Sequence, residues 1–419
     1  MVEQTRVVIV GAGLAGLCCA RALRRAGVDC LVLDAADRVG GRIATDRLQG
    51  FQLDRGFQVL LTSYPEARAE LDYDALGLRW FRAGSLVRRG DRVMRFADPW
   101  RHPSDGLRSL LTGAVGLGDA VRMTRLRREA LRGDIRPDTG SAADVLRASG
   151  LSESLRESFL EPFFRGVSLD PQLTFPAWYF AFLFAMFARG HAALPRDGMA
   201  AIPVQLAAEL PRDSVRLGAR VRSVRPGAVE LTDGTHLRCD AAVIATDGAA
   251  AAALAPGITA PGWNGTANLY FSAPRPPFAE PMLMLAGERG GLVNNVCVPS
   301  QIQASYAPEG AALVSVSTVG LPEADDDALR EAALSELADW FGAEVASWRH
   351  LRTYRIRRAL PKLPAHGPAR GPGVRRVDDG VWVCGDHLAT PSIQGAMAAG
   401  RVAAERVVEA ITRTAAGAV

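Results

Sequence analysis

The sequence contains almost no lysine. Its 419 residues include 49 basic side chains, of which only Lys362 is a lysine, so the other 48 are arginines spread along the chain. The net charge is only +4. A nucleic-acid-binding domain carries its basic residues as a patch or a stripe, which this distribution does not provide. We therefore expect no nucleic-acid partner.

Metal-binding cysteine patterns are also missing. The six cysteines form no CxxC pair and no cysteine–histidine cluster with zinc spacing, so we predict no metal site. The first residues lead straight into an apolar strand, without the charged, apolar and small-residue order of a signal peptide. The expectation is a protein of the reducing, cytoplasmic compartment.

No apolar run reaches the length of a membrane-spanning helix. The most apolar stretch, FPAWYFAFLFAMFA at 175–188, has 14 residues, whereas a spanning helix needs ~20. Three interpretations stay open: a buried core helix, a helix lining an apolar substrate channel, and a surface helix in peripheral contact with a membrane. Trp178, Phe182 and Met186 share one helix face, and we take Trp178 and Phe182 as substrate-side candidates.

A complete nucleotide-binding pattern opens the chain. Residues 6–10, RVVIV, form a β-branched strand, Gly11-x-Gly13-x-x-Gly16 follows at once, and residues 14–26 have the apolar periodicity of a helix. Gly11 permits a tight turn, Gly13 lets a pyrophosphate approach the helix N-terminus, and Gly16 allows helix and strand to pack closely.

The residues that follow extend this pattern. A second strand, residues 30–33, ends at Asp34, which is placed to accept hydrogen bonds from a ribose. The next loop, DRVGGR, contributes Gly40, Gly41 and Arg42. Such a loop can bend across a pyrophosphate and offer a guanidinium to it.

With this fingerprint, acidic residue and GGR turn, the chain resembles the superfamily of flavin-dependent amine oxidases, protoporphyrinogen oxidases and phytoene desaturases. In that superfamily a C-terminal strand, a Gly-Asp pair and a helix complete the FAD site. The stretch VWVCGDHLATPSIQGAMAAG, residues 381–400, has these parts in the same order. The resemblance implies FAD as the cofactor, bound by both ends of the chain.

The resemblance also assigns roles to individual residues. Asp386 would meet the ribityl chain or the pyrophosphate, and the helix opened by Gln394, Gly395 and Ala396 would direct its N-terminal amides at the flavin pyrimidine carbonyl. The backbone of Val221 would contact the adenine. The full set of cofactor-binding candidates is Gly11, Ala12, Gly13, Leu14, Ala15, Gly16, Asp34, Ala35, Gly40, Gly41, Arg42, Gly56, Phe57, Gln58, Val221, Ala245, Thr246, Gly385, Asp386, Ile393, Gln394 and Ala396.

No second GxGxxG follows a strand elsewhere in the sequence, so a built-in NAD(P)H module is not expected. The implied reaction is removal of a hydride from a small-molecule substrate to flavin N5, followed by reoxidation of the flavin by oxygen or another acceptor.

Two features separate the chain from the amine oxidases of this superfamily, which commonly keep a lysine that holds a water at N5 and an aromatic residue before the final Gly-Ala. Here Ile393 precedes Gln394-Gly395-Ala396, and no lysine lies in the substrate-domain strands. We therefore favour an oxidase or desaturase of an apolar or partly apolar small molecule. A flavin amine oxidase and a non-catalytic flavoprotein with structural FAD are the alternatives. No cysteine or histidine lies in a recognisable attachment motif, so we expect non-covalent FAD.

The expected fold class is α/β, with a Rossmann-like FAD-binding domain built from three segments and a substrate domain with an antiparallel sheet and a helical cap. Strand-like runs between residues 267 and 319 predict the antiparallel sheet, and arginine- and leucine-rich residues 80–160 predict the cap. The expected boundaries are 1–80, 212–260 and 364–419 for the FAD-binding domain, and 81–211 and 261–363 for the substrate domain.

Further candidates on the substrate side are the polar residues Asn294, Tyr306 and Tyr354. The sequence identifies no catalytic base. His191 follows the apolar stretch and His387 follows the Gly-Asp pair, and either position suits a structural histidine as well as a general base.

Overall fold

The structure is a computed structural model that describes residues 3–111, 115–135, 140–365 and 371–417. Its strands are β1 (Glu3–Val10), β2 (Cys30–Leu33), β3 (Thr45–Leu48), β4 (Phe51–Asp54), β5 (Leu60–Leu61), β6 (Arg79–Trp80), β7 (Gly84–Arg89), β8 (Arg92–Ala97), β9 (Ala192–Leu194), β10 (Val215–Arg216), β11 (Val221–Arg225), β12 (Ala228–Leu231), β13 (His236–Ile244), β14 (Trp263–Ala273), β15 (Leu283–Ala286), β16 (Asn295–Cys297), β17 (Ala312–Ser317), β18 (Arg349–Pro361), β19 (Val374–Asp378) and β20 (Val381–Cys384).

The α-helices of the described residues are α1 (Leu14–Arg25), α2 (Pro65–Glu70), α3 (Pro103–Leu111), α4 (Leu117–Arg132), α5 (Ala142–Ala148), α6 (Glu153–Leu155), α7 (Glu161–Ser168), α8 (Ala177–Arg189), α9 (Ala201–Ala208), α10 (Gly248–Leu254), α11 (Pro299–Ile302), α12 (Asp326–Phe341) and α13 (Ile393–Gly417).

The first sheet joins strands from three separate parts of the chain. Its order begins β10-β2-β1-β13, with β1 parallel to both β2 and β13. The long strand β13 then has two further partners. Its first residues pair antiparallel with β12, and its last residues, 242–244, pair parallel with β20. This sheet confirms the expected α/β class.

The central strand β1 is buried on both faces. Val7, Val8 and Ile9 are each 0% exposed, and they are β-branched residues that suit a pleated strand. Val7 and Ile9 belong to the core on the side of α1, whereas Val8 belongs to the core of the opposite face. An unbroken apolar run is what a parallel strand covered on both sides requires.

Helices from the two ends of the chain cover this sheet together. At their crossing, a Cβ atom on Gly400 of α13 would lie 2.0 Å from the carbonyl oxygen of Ala15 in α1. Only glycine lets the two helices approach so closely. The first and last segments therefore form one packed layer beside the nucleotide-binding loop.

The second sheet has the order β18-β14-β17-β16-β15-β7-β8. The runs between residues 267 and 319 form β14, β15, β16 and β17, as predicted. The sheet is nevertheless mixed, because β15 pairs parallel with β7.

The hairpin β7–β8 corrects the expectation of helix throughout residues 80–160. The two strands pair antiparallel on either side of the Gly90-Asp91 turn, and a turn of this kind between two short runs is a hairpin signal. Within residues 80–160, the first helix is α3. Helix α4 follows it, in the arginine- and leucine-rich part where the sequence predicts helix.

The apolar stretch at 175–188 forms α8 inside the cap. Its Phe180 is 0% exposed and packs with Phe164 of α7 at a ring-centroid distance of 4.6 Å. The other side of α8 faces a cavity. Core packing and channel lining therefore both apply to α8. In the described part of the chain, no helix has the length and apolar character needed to cross a membrane.

Candidate active site

A cavity of about 620 Å³ lies at the carboxyl ends of the parallel strands in the first sheet. It is lined by the residues that directly follow β1, β2, β13 and β20, and the opposite part is lined by the second sheet, α7 and α8. Ligands of α/β sheets bind at this edge.

The pyrophosphate-binding pattern faces this cavity. Gly13 caps the N-terminus of α1, where no side chain accepts a hydrogen bond from the first turn and no acidic residue occurs. A Cβ atom on Gly13 would meet no atom within 4 Å, so the helix N-terminus opens into the cavity. Its amide groups and helix dipole suit an anion such as a pyrophosphate.

Gly11 is required by the turn that places this helix. Its φ is +111°, and a Cβ there would lie 2.8 Å from the carbonyl oxygen of Ala245. Gly16 has a packing role, as predicted: its Cβ would lie 1.8 Å from the carbonyl oxygen of Gly11.

Asp34 is oriented by two backbone amides. Its Oδ2 accepts a hydrogen bond from the amide of Ala12 at 2.6 Å, and its Oδ1 accepts from the amide of Ala36 at 2.8 Å. The carboxylate lines the cavity at the end of β2, where remaining lone pairs can accept from a ribose hydroxyl.

Arg42 and Asp386 form an ion pair across the cavity wall. Nη2 of Arg42 donates to Oδ1 of Asp386 at 2.6 Å, and Nη1 donates to the carbonyl oxygen of Ala359 at 3.0 Å. Burial alone would lower the pKa of Arg42, but the charges of Asp386 and Asp247 outweigh it and the pKa is raised. The pair links the GGR loop to the C-terminal segment.

Most of the predicted cofactor residues are brought together here. Those lining the cavity are Gly11, Gly13, Leu14, Ala15, Asp34, Ala35, Gly40, Gly41, Arg42, Gly56, Phe57, Gln58, Val221, Ala245, Thr246, Gly385, Asp386, Ile393 and Ala396. Ala12, Gly16 and Gln394 lie behind the lining. Oε1 of Gln394 accepts a hydrogen bond from the amide of Glu66 at 2.9 Å, so its side chain points away from the cavity.

The start of α13 differs from the expected arrangement of free amides. The amide of Gly395 donates to Oγ of Ser392 at 3.0 Å, and the amide of Ala396 donates to the carbonyl oxygen of the same residue at 3.0 Å. Two of the amides expected to point at the flavin are therefore used by a capping serine, which the sequence analysis missed.

The rest of the lining includes the charged residues Arg55, Arg220 and Asp247. Sixteen other lining residues are mostly apolar, and we call this set the substrate wall. It consists of Leu61, Tyr64, Phe163, Gly166, Val167, Tyr179, Leu183, Phe187, Thr266, Leu283, Leu285, Asn294, Asn295, Ser317, Thr318 and Ile356. The hydroxyl of Tyr179 donates to the carbonyl oxygen of Pro391 at 2.7 Å, and burial raises the pKa of this phenol. Tyr179 thereby ties α8 to the segment preceding α13.

The structure places Trp178 and Phe182 outside the cavity. Tyr179, Leu183 and Phe187 line it instead, with the same spacing of four residues but on the adjacent face of α8. One residue rotates a helix by about 100°, so the two faces are neighbours. Spacing alone could not select between them, because both sets are apolar or aromatic.

Tyr306 and Tyr354 also lie outside the cavity, where each holds an aspartate. The hydroxyl of Tyr306 donates to Oδ2 of Asp54 at 2.8 Å, and that of Tyr354 donates to Oδ2 of Asp46 at 2.7 Å. Tyr306 is 1% exposed. Tyr306 therefore belongs to the protein core, and Tyr354 is partly buried against that core, so neither is part of the substrate wall.

Asp54 is a residue that the sequence analysis did not single out. Thr45 and the amide of Met199 also donate to its carboxyl, and burial raises its pKa to about 6 despite these hydrogen bonds. Asp54 ends β4 directly before the turn that carries Gly56 and Phe57 to the cavity. Asp54 therefore holds that turn in position without itself lining the cavity.

The two histidine candidates lie outside the cavity lining. His191 packs against Trp80, and burial together with Arg101 lowers its pKa. His387 is 4% exposed and lies beside Gly385 and Gly248. Across the described residues, no cluster of three metal-ligating side chains occurs.

The arrangement agrees with comparisons to known proteins. Residues 14–408 match the family of flavin-containing amine oxidoreductases, and the chain belongs to this family. It is an FAD-dependent oxidoreductase, as the sequence predicted, with a flavin as its cofactor and a small molecule as its substrate.

Relatives within this family differ in their reactions. A carotenoid phi-ring synthase of Streptomyces griseus is 27% identical over 93% of this chain and 84% of its own length. Polyamine oxidase 1 of Oryza sativa subsp. japonica is 28% identical over 76% of this chain and 67% of its own. The fold is similar to that of putrescine oxidase bound to putrescine, with a TM-score of 0.71, 18% identity and coverage of 98% of this chain and 100% of that one.

Proposed function

We propose that the chain binds FAD non-covalently in this cavity and removes a hydride from an uncharged, apolar or partly apolar small molecule. The observation that carries this proposal is the substrate wall, whose described residues include no carboxylate. An ammonium group buried there would lack a counter-charge, which is energetically costly. An uncharged substrate instead gains free energy from burial of its apolar surface.

The carboxylates elsewhere in the described lining are already engaged. Asp34 accepts from two amides, Asp247 caps α10 by accepting from the amides of Ala249 and Ala250, and Asp386 is paired with Arg42. All three follow strands of the first sheet. We therefore assign these three carboxylates to the dinucleotide site, and not to pairing with a positively charged group of the substrate.

FAD, when bound, supplies the hydride-accepting ring and passes the electrons to oxygen or another acceptor. The residues of this chain bind and orient the two partners. The open helix N-terminus at Gly13 suits the pyrophosphate, and Asp34 suits a ribose. The substrate wall excludes water and holds the reacting carbon against the ring.

Non-covalent attachment is supported by the chemistry of the lining. The described residues of the cavity include no cysteine and no histidine, the side chains that would attach to the flavin. Cys384, at the end of β20, is 0% exposed and does not line the cavity. All six cysteines are unpaired and buried, which supports our inference of a reducing, cytoplasmic location.

We further infer the two-domain division with the boundaries given above. All strands of the first sheet fall within residues 1–80, 212–260 and 364–419, and all strands of the second sheet fall within the two intervening segments. The cavity lies between the two sheets, as expected for a cofactor domain and a substrate domain that share one active site.

An amine oxidase is the second candidate, and the polyamine oxidase and putrescine oxidase relatives favour it. Anaerobic mixing of the oxidised holoprotein with separate panels of primary and secondary amines, porphyrinogens and polyenes distinguishes the two. We expect loss of flavin absorbance with a member of the uncharged polyene panel, and none with the amines or with the carboxylate-bearing porphyrinogens. Bleaching by amines alone would overturn the proposal, and bleaching by no compound would favour structural FAD.

A further inference from the structure

Two adjacent asparagines stand out on the otherwise apolar substrate wall. Asn294 precedes β16 and Asn295 begins it, and both line the cavity. Asn295 is 3% exposed. A buried amide normally has all its strong donors and acceptors paired, so the partners of this pair identify its role.

The hydrogen bonds settle which end of each amide is the donor. The carbonyl oxygen of Pro162 can only accept, and it lies 3.3 Å from the side-chain nitrogen of Asn294. The same Nδ2 also donates to Oδ1 of Asn295 at 3.1 Å. Asn295 therefore turns its carbonyl oxygen toward Asn294. Its Nδ2 is buried and donates to no partner in the described part of the chain.

Helix α7 approaches the two asparagine side chains closely, at a position occupied by glycine. Gly166 of α7 also lines the cavity, and a Cβ atom there would lie 2.8 Å from Nδ2 of Asn294 and 3.3 Å from Oδ1 of Asn295. Any larger residue at this position would press on both amides. Glycine at position 166 thus leaves the space that the two amides occupy.

A third asparagine of the same sheet shows the contrast. Asn268 of β14 is 0% exposed, and its Nδ2 donates to Oγ of Ser315, to the carbonyl oxygen of Val316 and to Oγ of Ser317. This amide nitrogen is saturated by the protein. Asn295 is buried to a similar extent, but it lines the cavity and its amide nitrogen is an unused donor.

We propose that Nδ2 of Asn295 donates a hydrogen bond to an uncharged oxygen of the substrate, such as a carbonyl, ether or hydroxyl. This inference rests on the proposed function and narrows it to apolar molecules that carry one such acceptor. The arginines of the described cavity lining, Arg42, Arg55 and Arg220, lie outside the substrate wall. Arg42 is paired with Asp386 and Arg55 with Asp46, so the wall itself offers a carboxylate substrate no counter-charge.

A comparison of the melting temperatures of holoprotein variants tests the role of Asn295 without any substrate. We expect Asn295→Leu holoprotein to melt within about 1 °C of wild type or above it. The substitution removes an unpaired buried donor, and Nδ2 of Asn294, which loses Oδ1 of Asn295, keeps the carbonyl oxygen of Pro162 as acceptor. The matched control, Asn268→Leu, should lower the melting temperature by about 2–4 °C or more, because it leaves several acceptors unpaired. An equal loss in both variants would show that Asn295 is structural and would overturn the proposal.

Three bicyclic probes of one skeleton test the acceptor directly: tetralin, 1-tetralone and 2-aminotetralin, titrated into oxidised holoprotein and followed by the flavin spectrum. We expect wild type to bind 1-tetralone about three- to tenfold more tightly than tetralin, and Asn295→Leu to lose this preference. Equal binding of both uncharged probes by wild type would overturn the proposed role of Asn295 but would leave the proposed uncharged substrate unaffected. Tight binding of only 2-aminotetralin would instead contradict the proposed uncharged substrate.

Discussion

At the scale of single residues, Gly13 is the point where side-chain size decides whether a cofactor fits. Its backbone is extended, with φ −76° and ψ −178°, so any residue can adopt it. Its missing Cβ faces the open cavity. A side chain there would occupy ligand space without disturbing the fold.

We therefore expect Gly13→Leu to purify as a folded, colourless protein, with its FAD content reduced at least about tenfold. The cause is steric exclusion of the pyrophosphate from the helix N-terminus. Flavin absorbance per polypeptide and the circular dichroism spectrum provide the measurement. Gly13→Ala is the matched control and should keep most of its flavin. Full flavin content in the leucine variant would show that the pyrophosphate lies elsewhere.

Asp54 gives a prediction for pH dependence. Its pKa is about 6 in the folded protein, against 3.8 for an ordinary aspartate, because burial disfavours the ionised form. The folded protein thus binds the proton more tightly than the unfolded chain. The stability gained from this proton is fully present below pH ~4 and is lost as the pH rises through about 6.

Asp54→Asn should remove this pH dependence. The amide can accept from Thr45 and Met199 through its oxygen and donate to Tyr306 through its nitrogen. Relative to the variant, wild type should lose roughly 3 kcal/mol of unfolding free energy between pH 4 and 7. Urea unfolding at several pH values measures the difference. A constant difference across this range would show that the carboxyl titrates normally.

At the scale of elements, strand β15 carries a test of the uncharged-substrate proposal. Leu283 lines the substrate wall and is only partly buried, so a polar replacement is tolerable. We expect Leu283→Asp to gain binding of 2-aminotetralin over wild type by about tenfold, because it supplies the missing counter-charge. Leu283→Asn has nearly the same shape without the charge and should gain little. Equal gains in both variants would argue against a charge effect.

The contact between α1 and α13 gives a second prediction at this scale. Gly400→Val would force a side chain against the backbone of α1 at Ala15. We expect a loss of about 2 kcal/mol or more in unfolding free energy, together with weaker FAD binding, because overpacking separates the two helices. Glu405→Ala, an exposed position of α13, is the control and should change neither quantity. An unchanged Gly400→Val variant would mean that the helices can separate freely.

Elements also show how far the sequence alone could lead. The βαβ start and the strand at 381–384 were predictable, because glycine turns and unbroken apolar runs mark them locally. The face of α8 was not, because Tyr179 and Trp178 both fit the same apolar pattern. The roles of Tyr306 and Asp54 were not predictable either, because 252 positions separate these two hydrogen-bonded residues.

At the scale of the whole molecule, FAD contacts all three segments of the first sheet in the proposed complex. Removal of a non-covalent flavin should therefore lower the melting temperature by several degrees, and added FAD should restore it. Dialysis against concentrated bromide followed by thermal melting provides the test. Acid precipitation should release the yellow colour into the supernatant. Colour retained in the precipitate would show a covalent bond and overturn the non-covalent assignment.

The pairing of β13 with β20 also bears on how the protein is made. The ribosome delivers β1 and β2 early, but β20, the strand beside the end of β13, emerges only after every strand of the second sheet has been synthesised. Until then one edge of the first sheet stays uncovered, and such edges invite aggregation during translation. We therefore expect FAD binding to follow the synthesis of β20 and the start of α13, because Gly385, Asp386 and Ile393 line the cavity.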